Sequence, residues 1–460
     1  MTRPPKKPSL DRRSFLATTG IGALATALPA SALPPSSTNS RRTHAPESSL
    51  DTASLRNASW DEIRTLFPLT DDYVYMVHLL LASHPKPVQD EIDRISRGLN
   101  DNPALYLLEH YRSASGRVRE ACAEFLSVRA EDVGLTDSTT MGLGVLYGGL
   151  DLDADDDILS TTHDHVATHE ALQLTSRRTG ASVRRIPLYD RGRETDPAIV
   201  VRRMIDALQP NTRIVATTWV HSATGVKLPI RAMADALARA NRTRKQPVRL
   251  FVDGVHGFGI ENVVIDDLGC DAFAAGCHKW IWGPRGTGLV WGNEHAWQLV
   301  RPTMTAFEQG VQDAFLAGEP TDDVPMAWRI TPGGFHSFEN RWALPKAFEL
   351  QQAIGRQRIQ DRIHGFTRHM VAEMARMPHV TLHTPTRPDL QSGMVCFEVE
   401  GYTNAETIRH LVSQGVIGST TPYNPTYARF TPGAINTEQE VEIALEKVAA
   451  MRGTRPPAAG

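Results

Sequence analysis

From residue 85 to about 315 the chain alternates short β-rich runs with segments of helical periodicity. Residues 183–188, 212–218, 248–253 and 288–291 are the runs, each rich in Val, Ile, Leu or Thr. Residues 229–241 lie between two of them, with alanines and leucine recurring at helical spacing. Strands separated by helices predict βαβ units and an α/β domain built on a mostly parallel sheet. Beyond about 340 the pattern changes. One long helix is predicted from Arg341 to about Met377, then a strand at 393–399, a helix near 404–414 and a last helix after Thr437. These elements predict a smaller α+β domain. No internal repeat is visible, and the ending is a loose tail.

The start of the chain follows other rules. Arg3, Lys6, Lys7, Arg12 and Arg13 face only Asp11, a mild apolar run extends from Phe15 to Leu28, and Ala30-Ser31-Ala32 follows. Basic region, short apolar core and small-residue site in that order read as an export signal. Two adjacent arginines before a core diluted by Gly20 and Gly22 match the twin-arginine type, so the expected location is the periplasm. Pro, Ser and Thr then dominate to about residue 58, as in a flexible connector.

Composition narrows the partners. With 41% hydrophobic and 22% charged residues, the 460-residue chain can bury a large core. Taking the five basic residues and Asp11 away leaves 44 basic against 51 acidic residues, a balance that does not attract nucleic acid. Past the signal, no run reaches the roughly 20 apolar residues that span a bilayer, so no membrane association is expected once it is removed. Cys122, Cys270, Cys277 and Cys396 are too few for a disulfide scaffold and lack paired metal-ligand spacing.

The chemistry concentrates in two stretches. Phe251-Val252-Asp253-Gly254-Val255-His256 puts a carboxylate at the carboxyl end of an apolar strand, where α/β sheets bind ligands. Twenty-six residues on, His278-Lys279-Trp280-Ile281-Trp282 runs into Gly283-Pro284-Arg285-Gly286-Thr287-Gly288. A lone lysine is ordinarily a solvated charge, and a strand-end Asp a turn residue. Together they change meaning. A lysine in an apolar pocket is pushed toward the neutral amine that Schiff-base chemistry needs. An Asp/Lys pair also suits pyridoxal 5'-phosphate (PLP), whose aldehyde takes a lysine and whose ring nitrogen takes a carboxylate.

On these motifs the chain resembles the class V aminotransferases of PLP fold type I, over about residues 60–452. The resemblance implies a large domain with a mostly parallel seven-stranded sheet flanked by helices. It also implies a smaller α+β domain from the N- and C-terminal segments, and a homodimer with active sites at its interface. The expected division is signal 1–32, connector 33–58, N-terminal segment 59–84 packing with the small domain, PLP-binding domain 85–340, small domain 341–452 and tail 453–460. Lys279 becomes the internal aldimine lysine and later the Cα base, Asp253 the partner of the pyridinium nitrogen, His256 a neighbour of the 3-oxygen and His278 a neighbour of the phosphate.

Further residues follow from the same likeness. Thr136-Asp137-Ser138-Thr139-Thr140 precedes a helix-like run, and hydroxyls with free N–H groups at a helix start suit a phosphate, so Ser138, Thr139 and Thr140 are the expected cradle. In His163-Asp164-His165 the second histidine matches the one stacked on the cofactor ring; as a metal pair the two lack a third ligand. Trp219-Val220-His221-Ser222-Ala223-Thr224-Gly225 matches a loop beside the cofactor, with Ser222 where the family carries Asn. Arg429, in Ala428-Arg429-Phe430-Thr431-Pro432, matches the arginine that binds the substrate carboxylate, for which a guanidinium fork is suited. Gly333-Gly334-Phe335-His336-Ser337 falls where relatives reach the neighbouring subunit's phosphate, which makes His336 and Ser337 weak candidates for that contact.

The reaction is less determined. A desulfurase needs a mobile Cys before the C-terminal Arg; none occurs between 397 and 460, and Cys396 sits in a strand-like run, so persulfide-forming desulfuration is disfavoured. A C–S lyase needs no such Cys. An epimerase needs a second acid/base, which the sequence does not place. Leu80-Leu81-Ala82-Ser83-His84-Pro85 and Phe335-His336-Ser337-Phe338-Glu339-Asn340-Arg341-Trp342 point to the isopenicillin N epimerase-like subgroup with a twin-arginine signal. That subgroup includes a periplasmic enzyme of siderophore maturation that converts a peptide-attached glutamate to a succinamide. The resulting expectation is an exported PLP enzyme acting at Cα of an amino-acid moiety, alone or on a siderophore-type peptide. An epimerase, a C–S lyase or a non-catalytic PLP-fold binding protein are the alternatives.

Overall fold

A computed structural model describes residues 52–453. The expected export signal, the connector up to residue 51 and the tail from 454 lie outside the described residues. The part of the connector inside them is packed: Thr52–Leu55 is a helical turn, Leu55 and Ala58 are buried, and Arg358 donates to the carbonyls of Leu55, Arg56 and Ala58. The boundary expected at 58 is therefore corrected toward the N-terminus, because those backbone carbonyls have fixed partners.

The N-terminal segment contributes β1 (Val74–Tyr75). The large sheet holds β2 (Val133–Thr136), β3 (Asp157–Thr161), β4 (Ser182–Ile186), β5 (Thr212–Thr218), β6 (Arg249–Asp253), β7 (Ala272–Gly276) and β8 (Gly288–Gly292). Their order is β2-β8-β7-β6-β5-β3-β4. Only β8 runs against its neighbours, so the sheet is mostly parallel with seven strands, as expected for PLP fold type I. The central strands are buried along their length, which is why they read as continuous apolar runs. Alternate side chains serve two cores: Leu250 and Val252 join one cluster, Phe251 the other. Helices α1 (Lys86–Asp101), α2 (Pro103–Leu126), α3 (Thr139–Gly148), α4 (Val166–Thr179), α5 (Pro197–Asp206) and α6 (Ile230–Asn241) accompany the sheet.

The single helix predicted from Arg341 to Met377 is three: α7 (Phe338–Ala343), α8 (Pro345–Ile354) and α9 (Arg356–Met374). Pro345 lacks the N–H that would continue α7, and Gly355, at φ 102°, takes a backbone conformation no helix interior allows. The smaller sheet contains β9 (Val380–Leu382), β10 (Val395–Val399), β12 (Ser419–Thr420) and β13 (Ala428–Phe430), while β11 (Val416–Ile417) pairs in parallel with β1. Helices α10 (Asn404–Ser413) and α11 (Glu438–Ala449) complete this part. Its core joins Phe397, Phe430 and Leu445 to Met76 from the N-terminal segment.

Candidate active site

Four parallel strands deliver chemistry at their carboxyl ends. β3 leads to His165, β5 to Ser222, β6 to Asp253 and His256, and β7 to His278 and Lys279. These residues, with Ser138, Thr139, Thr140 and Arg429, line one cavity of about 200 Å³. Every residue picked out for catalysis, cofactor or substrate binding on this chain is at its wall.

Ser138 caps α3, its hydroxyl accepting from the Met141 N–H at 3.1 Å. The N–H groups of the first turn beyond it have no acceptor within the helix. Thr139 Oγ1 accepts from the Gly276 N–H at 2.7 Å, which ties the helix start to the end of β7. A Cβ on Gly276 would lie 2.9 Å from His278 Cε1, so glycine is what keeps this corner open.

Asp253 is buried and accepts from the Val255 N–H at 3.1 Å. Burial raises its pKa, and burial lowers that of Lys279, with the attraction between the two opposing both shifts. The Trp280 Nε1–H points at His256 Nδ1, 3.4 Å away, and burial holds His256 neutral. Trp282, three residues past the lysine, has φ 61°, a strained backbone for a bulky side chain. Its ring is fixed edge-on to Phe67, 5.2 Å between centroids.

Of the paired histidines only His165 reaches the cavity. It caps α4 and accepts the Ala167 N–H on Nδ1 at 3.2 Å, which leaves its proton on Nε2. His163 instead stacks on Tyr189, 3.9 Å between centroids. Asp164 between them accepts from the N–H groups of Thr161 and Thr218, at 2.9 and 2.7 Å, and locks the ends of β3 and β5 together. His336 lines a separate small cavity beside Arg341, and Ser337 precedes α7; neither reaches this chain's own site.

Arg429 arrives from β13. It is 2% exposed and donates to the Ser222 carbonyl at 2.7 Å and to Ser419 Oγ at 3.2 Å, with no acidic partner among the described residues. A buried cation without a carboxylate is costly, so the position is built for an anion. Sequence reasoning missed Tyr423, whose hydroxyl is 2.8 Å from Ser222 Oγ. No motif surrounds it.

The wall fits PLP. His278 Nδ1 and Thr218 Oγ1 are buried with no hydrogen-bond partner among the described residues, the α3 start offers free N–H groups, and Lys279 and Arg429 outweigh Asp253 in charge. An anionic ligand carrying a basic ring nitrogen satisfies each of these.

Comparison with known proteins agrees. The Aminotransferase class-V family model matches residues 82–421, well over half of the chain. The chain belongs to the class-V aminotransferase family. This class-V chain is similar to isopenicillin N epimerase of Streptomyces clavuligerus, 23% identical over 404 residues, covering 86% of this chain and 99% of that one. It is similar to a cysteine desulfurase of Enterobacter sp. (strain 638), 26% identical over 291 residues, covering 61% and 66%. The cystine C–S lyase C-DES, solved with its product cysteine persulfide, matches the fold with a TM-score of 0.74 at 23% identity, over 83% of this chain and 99% of that one. A C-DES variant with glycine linked to PLP gives a TM-score of 0.75, also at 23% identity, over 84% and 98%. The class-V chain is a PLP-dependent enzyme, and pyridoxal phosphate is its cofactor.

Proposed function

We propose that this class-V enzyme modifies an amino-acid moiety at Cα, with Lys279 as the lysine that binds the cofactor and afterwards moves the Cα proton. The observation that carries the reading is the meeting of Lys279, Asp253 and the acid-free Arg429 in one cavity. When bound, the cofactor supplies an aldehyde for amines and a ring that draws electrons from Cα. The chain's residues do the rest. Ser138, Thr139, Thr140 and His278 would hold the cofactor's phosphate, His165 would pack against its ring, and Asp253 would keep its ring nitrogen protonated. His256 and Ser222 would lie on the side of its 3-oxygen. Arg429 holds the substrate carboxylate, which fixes which Cα bond stands ready to break. Lys279, its amine eased toward neutrality by burial, takes and returns a proton at Cα.

Desulfuration through a persulfide on an enzyme cysteine is not the favoured branch. All four cysteines are buried, none lines the cavity, and burial pushes the Cys396 thiol up to about 12. We read the substrate as glutamate on an exported siderophore-type peptide, turned into a succinamide with loss of its α-carboxylate as carbon dioxide and with dioxygen as the four-electron oxidant, one oxygen atom entering the amide and the other leaving as water; epimerisation and C–S cleavage are the alternatives. The residue pattern of 1–32 supports twin-arginine export to the periplasm, a route that carries folded, cofactor-loaded proteins. The mature enzyme acts there as a homodimer.

Purified protein is expected to be yellow, with a visible band that Lys279→Ala abolishes, and to turn over a glutamate-bearing peptide. A preparation still colourless after PLP addition would end the reading. Arg12→Lys with Arg13→Lys should hold the protein in the cytoplasm; unchanged export removes the signal assignment.

A further inference from the structure

Tyr423 lies on the connection between β12 and β13, six residues before Arg429. The two side chains grip the same residue of the other domain. Tyr423 Oη is 2.8 Å from Ser222 Oγ, and Arg429 Nη1 donates to the Ser222 carbonyl at 2.7 Å. The Tyr423 ring meets His165 edge-on, 6.1 Å between centroids and 77° between planes. Phenol, hydroxyl and guanidinium thus form one cluster at the cavity that Ser222 and Arg429 line.

Hydrogen counting shows what the cluster still offers. Two hydroxyls in contact carry two hydrogens, of which one lies between them; the other has no acceptor among the described residues. Arg429 has five N–H hydrogens. One goes to Ser222 O, one to Ser419 Oγ and one, at 3.5 Å, to Thr420 O, which leaves two. The spare capacity is a neutral O–H donor and a charged pair of N–H donors side by side. Burial pushes the phenol up to about 12, so it keeps its proton at neutral pH.

We infer that Tyr423 is a specificity-determining residue: through its contact with Ser222 it sets a hydroxyl donor beside Arg429, and the two together select a substrate centre with a free α-carboxylate. One carboxylate oxygen meets the guanidinium and the other the hydroxyl pair. An α-amide brings an NH₂ group against these donors and is refused. The inference rests on the proposed roles of Lys279 and Arg429, and it adds Tyr423 to the residues that read that carboxylate.

The test titrates the PLP-loaded enzyme with L-glutamate and with its α-amide, following the visible band. Wild type is expected to bind glutamate the more tightly. Tyr423→Phe, which keeps the ring against His165, should weaken glutamate about tenfold, the scale of one hydrogen bond to a charged group, and leave the α-amide unchanged. Equal weakening of both ligands, or none, overturns the role of Tyr423 while the proposed function stands. A wild-type band that neither ligand moves, including after extended incubation, overturns the proposed function and this inference with it.

Discussion

Arg429 Nη1 lies 2.7 Å from the carbonyl oxygen of Ser222, and no carboxylate among the described residues offsets the buried charge. The protein holds a cation on a backbone dipole and leaves its strongest partner to come from outside. Removing the fork should cost binding more than folding. Arg429→Lys keeps the charge and loses the bidentate geometry. It should raise KM and lower kcat/KM for carboxylate substrates by about hundredfold, with the melting temperature little changed. An unaltered kinetic profile would take Arg429 out of the site.

Asp253 sits at the end of β6, where burial works against its ionisation until a positive ring nitrogen is beside it. Asp253→Asn removes that partner and keeps the shape. The variant should retain PLP, seen as an intact visible band, and lose about hundredfold or more in kcat. Loss of the cofactor with no separate effect on kcat would make the carboxylate an anchor only.

Gly259 tests how the lysine loop is supported. Its φ is 91°, and a Cβ there would lie 2.7 Å from the Trp280 carbonyl carbon and 2.8 Å from the Ile281 nitrogen. Both contacts are backbone, so no side chain can swing aside. Gly259→Ala should lower the melting temperature and displace Lys279, with PLP affinity down at least about tenfold. Normal affinity in a stable Gly259→Ala protein would show that this loop tolerates movement.

Glu261 predicts the acid limit of stability. It is buried, its carboxylate taking Lys227 Nζ at 2.8 Å, His364 Nε2 at 2.9 Å and Ser392 Oγ at 2.7 Å, which joins the large domain to the small one. Against the cost of burial, these partners hold its pKa down to about 2, from 4.5. A folded-state pKa below the unfolded one means stability that is present above pH 4.5 and lost as pH falls toward 2. Glu261→Gln should cost about 3 kcal/mol at neutral pH and flatten that acid limb. Buried His78, held neutral down to about pH 4, adds an earlier limb that begins below 6.5, where the unfolded imidazole takes up protons. Denaturant melts from pH 7 to 3 measure both.

Much of the frame was legible because its signals are local. β5 and β6 are short runs centred on Ile214-Val215-Ala216 and Leu250-Phe251-Val252 and closed by polar residues, and that length with those bounds suits a buried parallel strand. β7 escaped notice as a strand because Ala272-Phe273-Ala274-Ala275-Gly276 has weak β propensity; its place between β6 and β8 makes it extended. The break of one expected helix into α7, α8 and α9 was written in Pro345 and Gly355, but the apolar periodicity across them concealed it.

The sequence by itself determined which chemistry could exist here: an amine, a carboxylate, imidazoles and hydroxyls at strand and helix ends, types set by local spacing. Only the tertiary structure decided who meets whom. Ser222 and Arg429 are 207 residues apart, and Ser222 and Tyr423 201. No local pattern encodes such a pair, because its geometry is fixed by the packing of two domains on a shared core and by the backbone partners that each side chain finds there.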